Sequence, residues 1–162
     1  MPHEDSAVFR KVLGHFPTGV TVITAEHEGT PVGLTIGSFT SVSLDPPLVG
    51  FLPAKTSTTW PDIQRAGRFC VNVLAADQGE WCWRFAKELD DKFSDVGYRP
   101  SPLGSPILDG VVAWIDCTID GVIDAGDHIF VLGLVHDLDV DAGHKRPMLF
   151  FQGKLGHFDR QE

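Results

Sequence analysis

The sequence predicts a mainly β fold, an antiparallel β-barrel with a few short helices. Two observations carry that expectation. Strand-like segments number about six or seven against two or three short helical ones, and most are joined by short turn signals. Closing such a sheet also removes the unpaired edges that a β-rich chain has to protect. The 162 residues read as one domain, 1–162. A domain near this size hides roughly 68–70% of its unfolded surface, enough for a core without staples.

Ser6 is placed to cap a first helix, with Val8, Phe9, Val12 and Leu13 on its apolar side and Gly14 near its end. Residues 20–25 are β-branched and read as a strand. Glu28-Gly29-Thr30-Pro31 signals a turn. A long strand-like stretch, 32–44, follows and is broken only at Pro46-Pro47, with a short apolar strand at 48–52. Thr59-Trp60-Pro61-Asp62 opens a helix that Gly67 stops. Residues 68–74 alternate, with Phe69, Val71 and Val73 on one face and Cys70 and Asn72 on the other. Asp77-Gln78-Gly79-Glu80 opens a further helix, on which Trp81 and Phe85 share a face. Pro100, Pro102 and Pro106 make 96–109 an extended loop. Strands are expected at 111–119 and 129–140 around a turn region at 121–127, then at 147–151, with a polar tail from Gly153.

Composition narrows the function. A net charge of −9 argues against nucleic acid, because phosphate backbones are held mainly by Lys and Arg. No apolar run approaches the ~18 residues of a membrane span. Met1-Pro2-His3-Glu4-Asp5 lacks the features of a signal peptide, so the expected location is the cytoplasm. Cys70, Cys82 and Cys117 are widely spaced and fit reduced, buried thiols. His128, His136 and His144 fit no zinc signature, and no metal site is expected. Dinucleotide, P-loop and nucleophile-elbow motifs are missing from the sequence.

Three segments carry chemistry. In 33–49, hydroxyls and bare glycine backbone alternate with Leu34, Ile36 and Val42. A planar ring bearing carbonyl and N–H groups needs such a wall, apolar for affinity and polar for orientation. A solvated Ser/Thr strand face would read the same way. In Pro53-Ala54-Lys55-Thr56-Ser57-Thr58-Thr59, four hydroxyls and a lysine precede a helix start, where free N–H groups favour a phosphate. An ordinary capped helix is the plainer alternative. Gly126-Asp127-His128 puts a titratable ring at a strand mouth, able to bond a ligand or merely face water.

Taken together, Phe16-Pro17-Thr18-Gly19-Val20-Thr21-Val22, the Ser-Phe-Thr-Ser-Val-Ser and Asp-Pro-Pro-Leu-Val runs within 33–49, Phe69-Cys70-Val71-Asn72-Val73-Leu74, Gln78 with Arg84-Phe85-Ala86, and Gly126-Asp127-His128 resemble the flavin reductase-like family. These are the reductase components of two-component flavin-dependent monooxygenases. The resemblance implies an FMN-binding split β-barrel, a homodimer, and reduction of FMN or FAD by NADH or NADPH for a transient monooxygenase partner. It implies that Thr35, Ile36, Gly37 and Ser38 line the flavin ring, mainly through backbone, with Ser43 further along the same motif. Lys55, Ser57 and Thr58 match its phosphate loop, Phe85 and Phe93 its flavin-side aromatics, and His128 its nicotinamide-side histidine. Lys92, where an arginine is frequent, is implied as a further cofactor-binding residue. Ile36-Gly37 replaces a frequent Ala-Asn, and Leu155 a frequent aromatic.

The chemistry implied is the cofactors' own, so no side chain need act as a nucleophile. The residues also leave open a flavin-binding module without reductase activity, a pyridoxamine-phosphate-oxidase-like flavin oxidase, and a barrel that carries small apolar ligands.

Overall fold

The computed structural model describes residues 6–141, 143 and 145–162; the N-terminal pentapeptide and His144 of the sequence analysis lie outside them. In chain order the elements are α1 (Ser6–Leu13), β1 (Thr18–Gly19), β2 (Thr21–His27), β3 (Thr30–Ile36), β4 (Thr40–Leu44), β5 (Pro47–Phe51), α2 (Trp60–Ala66), β6 (Arg68–Val73), α3 (Gly79–Ala86), β7 (Tyr98–Pro100), β8 (Pro106–Leu108), β9 (Ala113–Ala125), β10 (His128–Val140), β11 (Met148–Phe151) and β12 (Lys154–His157). The mainly β expectation holds. Seven strands form the main antiparallel sheet in the order β3-β2-β6-β9-β10-β5-β4.

The sheet curls but does not close. Its two edge strands, β3 and β4, are consecutive in the chain, with only residues 37–39 between them. So short a link holds the two edges within reach of each other at one end. No ladder joins them among the described residues, and the barrel is split at that seam. Residues 32–44 are therefore two strands rather than one. Ser38 ties the seam to the end of β5: its Oγ accepts from the Leu52 N–H at 3.0 Å.

Other expectations shift in detail. The turn between β9 and β10 shrinks from 121–127 to Gly126-Asp127, because both strands run on to Ala125 and His128. The tail pairs as β12 against β11. The proline-rich stretch forms a small hairpin of its own, β7 with β8. Buried Asn72 fastens that hairpin to the main sheet, its Nδ2 donating to the Pro106 carbonyl at 3.3 Å and its Oδ1 accepting from the Leu108 N–H at 2.8 Å.

Both faces of β6 are buried. Phe69 and Val71 join Ile23, Phe51, Val131, Trp60 and Ile63 inside the curl, where α2 packs. Cys70 faces the other way, into a second core with Val22, Leu108, Trp114 and the α3 residues Cys82 and Phe85. All three cysteines are free and buried. Burial pushes the Cys117 thiol up to about 12 and that of Cys70 higher still, so neither is a ready nucleophile.

Gly33 on β3 is fixed by a close approach. A Cβ there would lie 2.7 Å from the buried Phe85 ring and 3.5 Å from Phe93. A Gly33→Ala variant should therefore lose about 1–3 kcal/mol in a chemical denaturation experiment, the usual cost of overpacking; a midpoint equal to wild type would show that Phe85 moves freely.

Candidate flavin cleft

A cleft of about 590 Å³ opens at the seam, within the 300–1,000 Å³ typical of small-molecule sites. One wall is the end of β3 and the link after it, Leu34, Thr35, Ile36, Gly37 and Ser38. Facing it are Leu52, Pro53, Ala54 and the run Thr56, Ser57, Thr58 and Thr59. Ala86, Lys87, Glu88 and Lys92 form a third side, and His128 stands at the hairpin end.

The β3 wall is a free sheet edge. The Gly33 carbonyl points away from β2, since it accepts from Lys92 Nζ at 3.0 Å. Strand backbone groups alternate in direction along the pairing plane, so the Thr35 N–H and C=O also point to the unpaired edge. The Thr35 hydroxyl is turned away, donating to the Cys82 carbonyl at 2.7 Å. That leaves backbone, flanked by Leu34 and Ile36, to meet a ligand.

The hydroxyl-rich loop differs from expectation. The N–H groups at the start of α2 are not free for a phosphate. Ser57 Oγ accepts from the Thr59 and Trp60 N–H groups at 3.3 and 3.1 Å. Pro61 has no N–H, and the Thr59 carbonyl accepts from Asp62 and Ile63. Ser57 thus does the capping expected of Thr59, while keeping its own hydroxyl proton to donate. Thr56 and Thr58 supply the remaining hydroxyls on that wall.

Thr59 is occupied by Lys92. The buried ammonium donates to Thr59 Oγ1 at 3.1 Å and to the carbonyls of Gly33 and Phe85 at 3.0 and 3.2 Å. All its protons are used. It pins β3, α2 and the end of α3 together along the cleft, and burial lowers its pKa, with Glu88 opposing.

At the mouth, the hairpin tip is stitched to the loop. The Lys55 N–H donates to the Asp127 carbonyl and the Ile129 N–H to the Pro53 carbonyl, at 2.9 and 3.0 Å. His128 Nδ1 lies 2.8 Å from Asp127 Oδ1. The hydrogen bond from His128, then its charge, holds the exposed Asp127 carboxyl below the usual range.

Of the residues singled out in the sequence, Thr35, Ile36, Gly37, Ser38, Ser57, Thr58, Lys92 and His128 come together around this cleft. Ser43, on β4, pairs with Leu48 of β5, outside the lining. Lys55 turns its ammonium to Asp124 at 3.2 Å. Phe85 and Phe93 stack edge to face, 5.0 Å between centroids, behind Gly33 rather than in the cleft. Lys87 and Glu88 were not anticipated, because residues just past a helix end carry no periodic signal. Thr56 was counted in the hydroxyl run but not among the residues matched to the phosphate loop.

Fit to a flavin is favourable on these observations: a free backbone edge beside apolar side chains for the ring, and three hydroxyls further along for a phosphate.

Residues 13–159 match the family described as flavin reductase like domain. A flavin reductase of Pseudomonas putida is 53% identical over 155 residues, covering 95% of this chain and 91% of its own. The crystal structure of nitrilotriacetate monooxygenase component B from Mycobacterium thermoresistibile superposes with a TM-score of 0.93 at 50% identity, over 96% of this chain and 87% of that one. The NADH:FAD oxidoreductase of Streptomyces globisporus C-1027 does so with a TM-score of 0.91 at 35% identity, over 100% of this chain and 92% of its own. Since these matches span nearly the whole length and include every segment that lines the cleft, the chain belongs to the flavin reductase like domain family.

Proposed function

We propose that the split-barrel cleft is where this flavin reductase brings FMN or FAD together with NADH or NADPH. A bound flavin supplies the electron-accepting ring and the reduced nicotinamide supplies the hydride. The protein's part is to place them. The observation that carries the reading is the unpaired β3 edge at Thr35, opposite a hydroxyl loop and beside His128. The Thr35 backbone and its apolar neighbours hold the ring's edge and face. Thr56, Ser57 and Thr58 hold the phosphate, and Lys92 keeps the three walls in register from behind. His128 orients the nicotinamide. Ser43, Lys55, Phe85 and Phe93 support these walls rather than line them.

The cleft opens to solvent, which suits a flavin that leaves once reduced. The recipient is a flavin-dependent monooxygenase component. We place the protein in the cytoplasm, where three free buried thiols stay reduced; among the described residues no helix is long and apolar enough to cross a membrane. A homodimer is supported by α1, whose apolar side (Val8, Phe9, Val12, Leu13) lies exposed beside Phe16, itself 74% exposed.

NADH and NADPH oxidation measured with riboflavin, FMN and FAD tests the function directly, and no oxidation with any pair rejects it. The hydroxyl wall has its own test. Converting Thr56 and Thr58 to valine should weaken FMN by about tenfold or more, at 0.5–1.5 kcal/mol per neutral bond, and leave riboflavin nearly unchanged. Equal losses for both flavins would place the phosphate elsewhere.

A further inference from the structure

Behind the hydroxyl wall lies a second cavity of about 220 Å³, below the range of a complete small-molecule site and suited to one part of a ligand. Thr58, Thr59 and Lys92 line both this cavity and the flavin cleft, so the two spaces share a wall. The far side is made by Val32 of β3 with Asp62, Leu89 and Asp90. Lys92 has no proton left for a ligand, since its ammonium donates to Thr59 and to the Gly33 and Phe85 carbonyls. The cavity therefore offers acceptors. Asp62 Oδ1 takes Arg65 at 2.8 Å, which leaves Oδ2 without a partner among the described residues. Neither carboxylate oxygen of Asp90 has a partner among them. Val32 and Leu89, the latter 50% exposed, add apolar surface.

We propose that this cavity is a nucleoside subsite that takes the adenosine half of FAD, with the purine against Val32 and Leu89 and the ribose hydroxyls donating to Asp62 and Asp90. The proposal rests on the reading of the cleft given above, and it chooses between the two flavins. Two carboxylates repel a further phosphate but accept from a ribose diol, a pairing that nucleotide sites use elsewhere. Thr58 is the junction. It stands on the phosphate wall of the cleft and on the wall of the cavity behind it, so a chain that continues past the flavin phosphate enters the second space. FMN ends at that wall and gains nothing from the cavity. The adenosine of NADH leaves from the nicotinamide side, at His128. FAD therefore binds more tightly than FMN.

Dissociation constants for FAD and FMN, read by fluorescence quenching in the wild type and in an Asp62→Ala, Asp90→Ala double variant, test this. FAD should weaken by about tenfold or more, the value of hydrogen bonds to charged groups, while FMN binds as before and shows that the cleft is intact. The KM for NADH, measured with FMN as acceptor, should not move. An FAD affinity equal to wild type overturns the proposal. Equal losses for both flavins overturn it too, because they would mark damage to the shared wall. A rise in the KM for NADH would give the cavity to the other dinucleotide and overturn it as well. The cleft reading fails separately: it falls if Thr56→Val with Thr58→Val leaves FMN unchanged, whereas an unchanged FAD affinity beside a sensitive FMN affinity removes the subsite alone.

Discussion

Replacing Asn72 with leucine should cost about 3 kcal/mol of stability and lower the melting temperature by about 10 °C. Asn72 is fully buried on β6, beneath the β7–β8 hairpin. Its Nδ2 sits 3.2 Å from the Val22 carbonyl, 3.0 Å from Thr24 Oγ1 and 3.3 Å from the Pro106 carbonyl, and its Oδ1 accepts from the Leu108 N–H at 2.8 Å. Leucine has as many side-chain heavy atoms, though its methyl groups are bulkier, and answers none of these groups. The Leu108 N–H and the Pro106 carbonyl would be left buried without that partner, at about 1–3 kcal/mol each. The Thr24 hydroxyl also donates to Pro106, so part of the latch would survive. A thermal melt within 2 °C of wild type would mean, at roughly 2–4 °C per kcal/mol for a chain of this size, that the hairpin does not depend on this amide.

A His128→Ala variant should lose tenfold to about a hundredfold in kcat/KM for the reduced nicotinamide while binding flavin as the wild type does. The loss combines one hydrogen bond with looser orientation of the hydride donor, and small misplacements of a reacting partner cost up to about a hundredfold. His128 is suited to a kinetic test because it carries little structural burden: its side chain is 45% exposed and bonds to the exposed Asp127. The backbone bonds that hold the tip in place come from Lys55 and Ile129. Flavin affinity by fluorescence quenching and steady-state NAD(P)H oxidation separate the two effects. Parallel losses in both would put His128 on the flavin side instead.

Local periodicity made most strands legible. The β-branched run of β2, the alternation of β6 and the Gly67 stop of α2 fall where residue types place them. The resemblance implied a split barrel, but where the sheet opens was not legible in the residues. Gly37-Ser38-Phe39 looks like the middle of a strand, because what breaks it is tertiary: Ser38 bonds Leu52, fourteen residues on. The β9 turn was placed too early because Gly121 is a turn former, yet Gly121 pairs with Leu132 beside a bulge and the two strands continue to the tip. In the site, the hydroxyl run was visible as a cluster, but its division of labour was not. Ser57 caps α2 and Thr59 takes the Lys92 ammonium, and such assignments depend on which chain segment lies opposite. Lys92 was read from the resemblance as a cofactor-binding residue, but its bridging of Gly33, Thr59 and Phe85 was not readable, since those partners are far apart in sequence and meet only around the cleft.

The account depends on a flat tricyclic ring entering the seam beside the open edge of β3. A crystal structure of the protein grown with oxidised flavin measures this directly. Ring density along residues 35–38, with the phosphate against Thr56 and Thr58 and one ring face open toward His128, is the predicted result. A flavin seated anywhere else, with the Thr35 edge covered by the protein's own side chains, would contradict it.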